Sequence, residues 1–101
     1  MSFFLKERDG LIKKLQSELA LKEEGAKAKL GVLEDLGADY AHYVEAWYNG
    51  KEIDGEANGV TVFEIKADMG CHYLDAIQYL KLFADDSEAA TLYQHGFFFR
   101  R

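Results

Sequence analysis

The residue types most capable of chemistry crowd into one stretch, MGCHYLDAIQYL at positions 69–80. It holds the sole cysteine, one of three histidines, an aspartate and two tyrosines. A carboxylate three residues from a histidine on a helix favours the imidazolium, or orients a neutral imidazole for a metal or a proton transfer. His72 and Asp75 have that spacing, and Asp39, His42 and Glu45 repeat it, each three residues from the next. Pooled, His42, His72, Asp75 and the neighbouring carboxylates supply the donor types of a small metal site. Di-metal carboxylate bundles, however, use Glu-x-x-His on helices whose ligands point inward. Here the order is His-x-x-Glu, and both sets project away from the apolar stripe of their own helix. Cys71 falls near a helix start, where the dipole lowers a thiol's pKa, but His72 cannot act as its base because adjacent helical residues diverge. There is no glycine-rich phosphate loop, no His-Glu-x-x-His and no Gly-x-Ser-x-Gly. The expectation is a protein that is not an enzyme and needs no cofactor, with small-ligand or metal binding through His42, His72 and Asp75 as the alternative.

The elements that must carry these residues are mostly helical. The chain has no proline, so the strongest helix breaker is missing. From residue 4 to residue 47, Phe4, Leu11, Leu15, Leu19, Ala26, Leu30, Leu33, Gly37, Tyr40, Val44 and Trp47 recur in steps of three and four once Arg8 and Lys22 fill the gaps. The phase is continuous, which favours helical segments that run on or kink gently. One straight helix would be about 65 Å long at 1.5 Å per residue and would need a partner helix from another subunit. The competing arrangement is a hairpin that breaks near KEEGAKAKLG, residues 22–31, with Gly25 as the cap. Asn49-Gly50 closes this helical region.

Beyond it, Asp54-Gly55 and Asn58-Gly59 punctuate a run of β-branched and aromatic residues, Val60 to Ile65. That pattern predicts a β-hairpin pairing roughly 51–54 with 60–66. Asp68 is the expected N-cap of a helix over 69–84, with Tyr73, Ile77, Leu80 and Ala84 facing the core and His72, Asp75, Tyr79 and Leu82 facing outward. Asp85 or Asp86 caps a last helix that ends at Gly96. The fold class is therefore α+β, predominantly α-helical: a long N-terminal helix or helical hairpin, a short β-hairpin and two C-terminal helices. At 101 residues it reads as a single domain, 1–101.

Charge and aromatic content point to partners. Residues 1–33 carry seven basic and five acidic side chains, whereas residues 34–95 carry three basic and thirteen acidic. Such an acidic section argues against direct nucleic-acid binding, which requires lysine and arginine against phosphates. It suits a basic protein partner. Aromatics make up 14% of the chain, concentrated at Phe3-Phe4, at Tyr40-Tyr43-Trp47-Tyr48 and at Phe97-Phe98-Phe99. Three consecutive phenylalanines cannot all face inward, and arginines follow them. The expected function is a small protein–protein interaction module that works as a homodimer. Its acidic face would comprise Glu34, Asp35, Asp39, Glu45, Glu52, Asp54 and Glu56, with Trp47, Tyr48, Phe97, Phe98 and Phe99 as anchors. A concrete form is an acidic inhibitor that occupies the basic, nucleic-acid-binding surface of a larger protein. A single cysteine forms no internal disulfide, no run of 18 apolar residues is present, and the N-terminus lacks the pattern of a secretory signal; a cytoplasmic location is expected.

Overall fold

A computed structural model describes residues 3–96 and shows a predominantly helical α+β chain in two compact units, Met1–Lys51 and Glu52–Arg101. The tail Phe97–Phe99, expected to supply anchors, lies outside the described residues.

The first unit begins with a short 3-10 turn, Leu5–Glu7, followed by α1 (Arg8–Leu19) and α2 (Glu23–Asp35). These two helices pack on one another as a hairpin. The expected continuity of phase therefore does not mean continuity of the helix. Ala20 adopts the left-handed conformation at φ 54°, and the Ala20 and Leu21 amides both return to the Gln16 carbonyl, closing α1. Gly25, the anticipated break, sits within α2. With the helix broken after Leu19, no second subunit is required to cover a rod. Phase survives the turn because each helix lays its own apolar stripe on the same interior: Leu11, Ile12 and Leu15 from α1, Ala26, Leu30 and Leu33 from α2. Gly37 separates α2 from a second 3-10 turn, Ala38–Tyr40, which leads into α3 (Ala41–Tyr48). Tyr43, Val44 and Trp47 of α3 are buried.

Lys14 ties α1 to the end of α3. Its ammonium donates to the Trp47 carbonyl at 2.6 Å, which also accepts from the Gly50 amide, and to the Tyr48 carbonyl at 3.1 Å, both at the C-terminal end of α3. The same ammonium lies 4.6 Å from the Trp47 ring centroid. The indole N–H donates to Glu18 Oε1 at 3.2 Å.

The second unit opens with a hairpin shorter and later than the pattern predicts: β1 is Glu56–Ala57 and β2 is Val60–Thr61, antiparallel with Ala57 opposite Val60. Asn58 and Gly59 form its two-residue loop, both at positive φ (51° and 86°), the geometry that Asn-Gly favours. The expected strand over 60–66 ends after Thr61 and becomes α4 (Val62–Met69). Thr61 Oγ1 accepts from the Glu64 amide while the Glu64 carboxylate accepts from the Thr61 amide, a capping box. The Val62 amide donates to the Gly55 carbonyl at 3.0 Å, and the Phe63 amide to Asp54 Oδ1 at 3.0 Å. Three of the donors that a first helical turn leaves over are thereby met, which outweighs the β preference of Val62, Phe63 and Ile65.

Asp68 lies within α4 and is not the N-cap of the next helix; its carboxylate accepts from the Tyr93 hydroxyl at 2.7 Å. Gly70, left-handed at φ 60°, ends α4. The true N-cap of α5 (Tyr73–Asp85) is His72, whose Nδ1 accepts from the Leu74 amide at 3.1 Å. Tyr73, Leu74, Ala76, Ile77 and Leu80 are buried as the wheel requires, but Phe83 rather than Ala84 completes the face. A fully buried Phe contributes about 1.5–3 kcal/mol of transfer free energy, more than any alanine could. Asp86 caps α6 (Ser87–Gln94) through the Glu88 and Ala89 amides, both at 3.1 Å. Among the described residues no helix is long and apolar enough to cross a membrane.

Candidate interaction surface

The acidic residues of the central section fall into two groups that sequence alone does not separate. Glu52, Asp54 and Glu56 are exposed but engaged in local structure. Glu52 pairs with Lys66 at 2.7 Å. Asp54 Oδ1 accepts from the Gly55 and Phe63 amides. Glu56 Oε2 accepts from the Gly59 amide at 2.6 Å and closes the hairpin loop. These carboxylates build the second unit.

Asp35, Asp39 and Glu45 differ. They lie at the end of α2, in the 3-10 turn and on α3, all exposed, and among the described residues none of them makes a side-chain hydrogen bond or ion pair. Asp39, His42 and Glu45 form an exposed strip on the outer side of this segment, as their spacing predicts, opposite buried Tyr43, Val44 and Trp47. Glu34 stands apart: it is half-buried, and its Oε2 is buried with no hydrogen-bond partner among the described residues.

The expected anchors separate too. Trp47 is 2% exposed and committed to the interior, so its ring has no face for a partner. Tyr48 is half-buried at the end of α3. Desolvation pushes its phenol up from the ordinary value, and a hydrogen bond with the neighbouring Glu7 carboxylate adds to that. A Cβ at Gly10 would collide with the Tyr48 hydroxyl, so the glycine is what lets the ring lie across α1. Gly10 lies off the periodic stripe, which gives no sign of this contact.

Beside Tyr48 a pocket of about 490 Å³ opens, walled by the first residues of the unit and by α3. Phe3 and Leu5, exposed at 40% and 75%, stand at it with Leu11, and Glu7 and Glu45 are also among its lining residues. Glu45 thus belongs both to the acidic strip and to an apolar recess. Sequence reading placed Phe3-Phe4 among the aromatic clusters but did not bring them to Glu45.

The metal alternative finds no assembly. His42 is exposed with its ring 4.1 Å from the Tyr43 ring centroid. The Nδ1 lone pair of His72 is taken by the helix cap. Asp75 is half-buried and lines a shallow groove of about 350 Å³ with Cys71, Gln78, Tyr79 and Leu82. Among the described residues, no three His, Cys, Asp or Glu side chains come together to hold an ion. Comparison with family models, with curated proteins and with solved structures yields no match for this chain.

Proposed function

We propose that this protein is a non-enzymatic interaction module whose first unit presents an acidic face to a basic protein partner. The supporting observation is the contrast between the two acidic groups: Glu52, Asp54 and Glu56 are absorbed in forming the fold, whereas Asp35, Asp39 and Glu45 remain solvated. Ordering solvated carboxylates stabilises little internally, while a complementary surface gains steering and specificity from them. An inhibitor that covers the nucleic-acid-binding surface of a larger protein is the concrete form of this reading, with no direct contact to nucleic acid. Its proposed setting is the cytoplasm, in keeping with a chain whose single cysteine forms no internal disulfide. A homodimer is the proposed assembly, resting on Phe63, Leu82 and Leu92, each more than 40% exposed; static light scattering decides that point.

Affinity capture from the native host, at low and at raised salt, tests the central claim. A basic protein should be retained at low salt, released as salt screens the face, and lost with Asp35→Lys/Asp39→Lys. Retention indifferent to both salt and charge reversal refutes the acidic face.

A further inference from the structure

The recess beside Glu45 has a composition that selects its occupant. Its volume, about 490 Å³, lies in the range of pockets that hold small ligands or single side chains. The walls from Phe3, Leu5, Leu11 and Tyr48 are apolar or aromatic. Two acidic residues, Glu7 and Glu45, line it against one basic residue, Lys6, a net negative balance. A purely apolar occupant would desolvate both carboxylates without compensation, which is costly. An anion would be repelled. A compact ammonium would satisfy the charge but leave the aromatic walls poorly used and give up more hydration. A guanidinium meets every condition: it is planar and weakly hydrated, stacks on aromatic faces, pairs with carboxylates through fixed donors, and arrives on a chain of methylenes that apolar walls cover.

We propose that this pocket receives an arginine side chain of the basic partner, its guanidinium paired with Glu7 and Glu45 and its methylenes against Phe3, Leu11 and Tyr48. The inference rests on the reading of the first unit as an acidic interaction face and adds the residue by which the partner is recognised. Tyr48 lines the same pocket as Glu7, and its phenol interacts with that carboxylate. Gly10 is needed because any larger residue would displace that phenol.

The test is a titration of the isotopically labelled full chain with N-acetyl-Leu-Arg-Leu-amide, followed by amide chemical shifts. The counterparts carry citrulline, which has nearly the same shape and no charge, or lysine. Saturable shifts should centre on residues 3–7, 11, 45 and 48. The citrulline peptide should bind at least about ten-fold more weakly, as expected for the loss of a charge-assisted pair. The lysine peptide should fall between them. Glu7→Gln and Glu45→Gln should each weaken the arginine peptide about ten-fold, with spectra that show the fold intact. Equal binding of the citrulline peptide overturns the proposal in favour of an apolar occupant. The same shifts on concentration alone give the pocket to a second copy and overturn it too, and shifts centred elsewhere likewise. Asp35→Lys/Asp39→Lys, outside the pocket, should leave the tripeptide shifts centred on the same residues. Salt-sensitive capture of a basic protein without tripeptide binding would refute the pocket and leave the acidic face standing. Tripeptide binding without such capture would do the reverse.

Discussion

Asp54 and Asp39 are both exposed aspartates of the same acidic section, yet the structure assigns them opposite consequences on mutation. Asp54 Oδ1 accepts from two backbone amides, Gly55 at 2.9 Å and Phe63 at 3.0 Å. The second is one of the donors that α4 cannot satisfy internally. Removing a side chain that performs this capping service costs about 1 kcal/mol, within a range of roughly 0.5–2 kcal/mol. Exposure keeps the figure near the middle, because water replaces the lost acceptor in part. For a chain of 101 residues, about 1 kcal/mol corresponds to a fall in midpoint of roughly 4–8 °C. Asp54→Ala should therefore lower the thermal midpoint, read by far-ultraviolet circular dichroism, by that amount. Asp54→Asn, which keeps an acceptor and loses only the charge near a helix N-terminus, should lose about half as much. Asp39→Ala, with no partner to forfeit, should stay within about 0.5 kcal/mol of the parent. In the proposed partner binding the order should reverse, Asp39 being sensitive and Asp54 indifferent. If Asp54→Ala melts with the parent, or Asp39→Ala falls as far as Asp54→Ala, the division of the acidic residues into builders and presenters is wrong.

Three further outcomes follow from other contacts. Tyr93 donates to Asp68 at 2.7 Å, and its phenol is held above the ordinary 10.0, first by burial and then by the Asp68 carboxylate. The stabilisation this represents is complete below pH 10 and is lost as the pH climbs beyond it, so alkaline denaturant titrations should show stability falling there, and Tyr93→Phe should flatten that fall. At Gly70, left-handed at φ 60° and with open space around it, Gly70→Ala should cost about 1–2 kcal/mol, while Gly70→Asn should cost less; equal midpoints for Ala and Asn in a urea titration would argue against the left-handed cap. Gly10→Ala should fail to give the roughly 1 kcal/mol that such a change gains in an open helix, because of Tyr48; in a Tyr48→Ala background the gain should appear, and its absence from the double-mutant cycle would mean the two residues do not meet.

Helix content was open to sequence reading because burial repeats with the helical period, and most of the stripe from Phe4 to Trp47 is indeed interior. The turn between α1 and α2 was hidden for a physical reason. Ala20 takes a left-handed conformation that carries no glycine, asparagine or proline to announce it, and a hairpin whose helices face one core preserves the phase that a single helix would show. The Val60–Ile65 run was read as a strand because its β-branched content is local. What decides it is the reciprocal Thr61–Glu64 pair together with Asp54, nine residues before Phe63. The Thr-x-x-Glu spacing was visible, but the reach of Asp54 was not. The same limit applies to the surface: composition reveals thirteen acidic residues in the section but not which of them the backbone has already taken. Trp47 was expected both in the core stripe and as an interface anchor; it is buried, as the stripe requires, and the anchor role does not fit that burial.

Trp47 is the chain's only tryptophan, and it sits within the first unit, out of water, with its N–H held by Glu18 and its face under an ammonium. That makes it a built-in optical reporter. Its emission should be shifted to the blue and should register the unpacking of α1 from α3 while remaining blind to the Phe83–Tyr93 contact in the second unit. Helical ellipticity, in contrast, sums over both. A single sample followed by the two signals therefore shows whether the halves of this small chain melt together or in turn, with no label and no mutation.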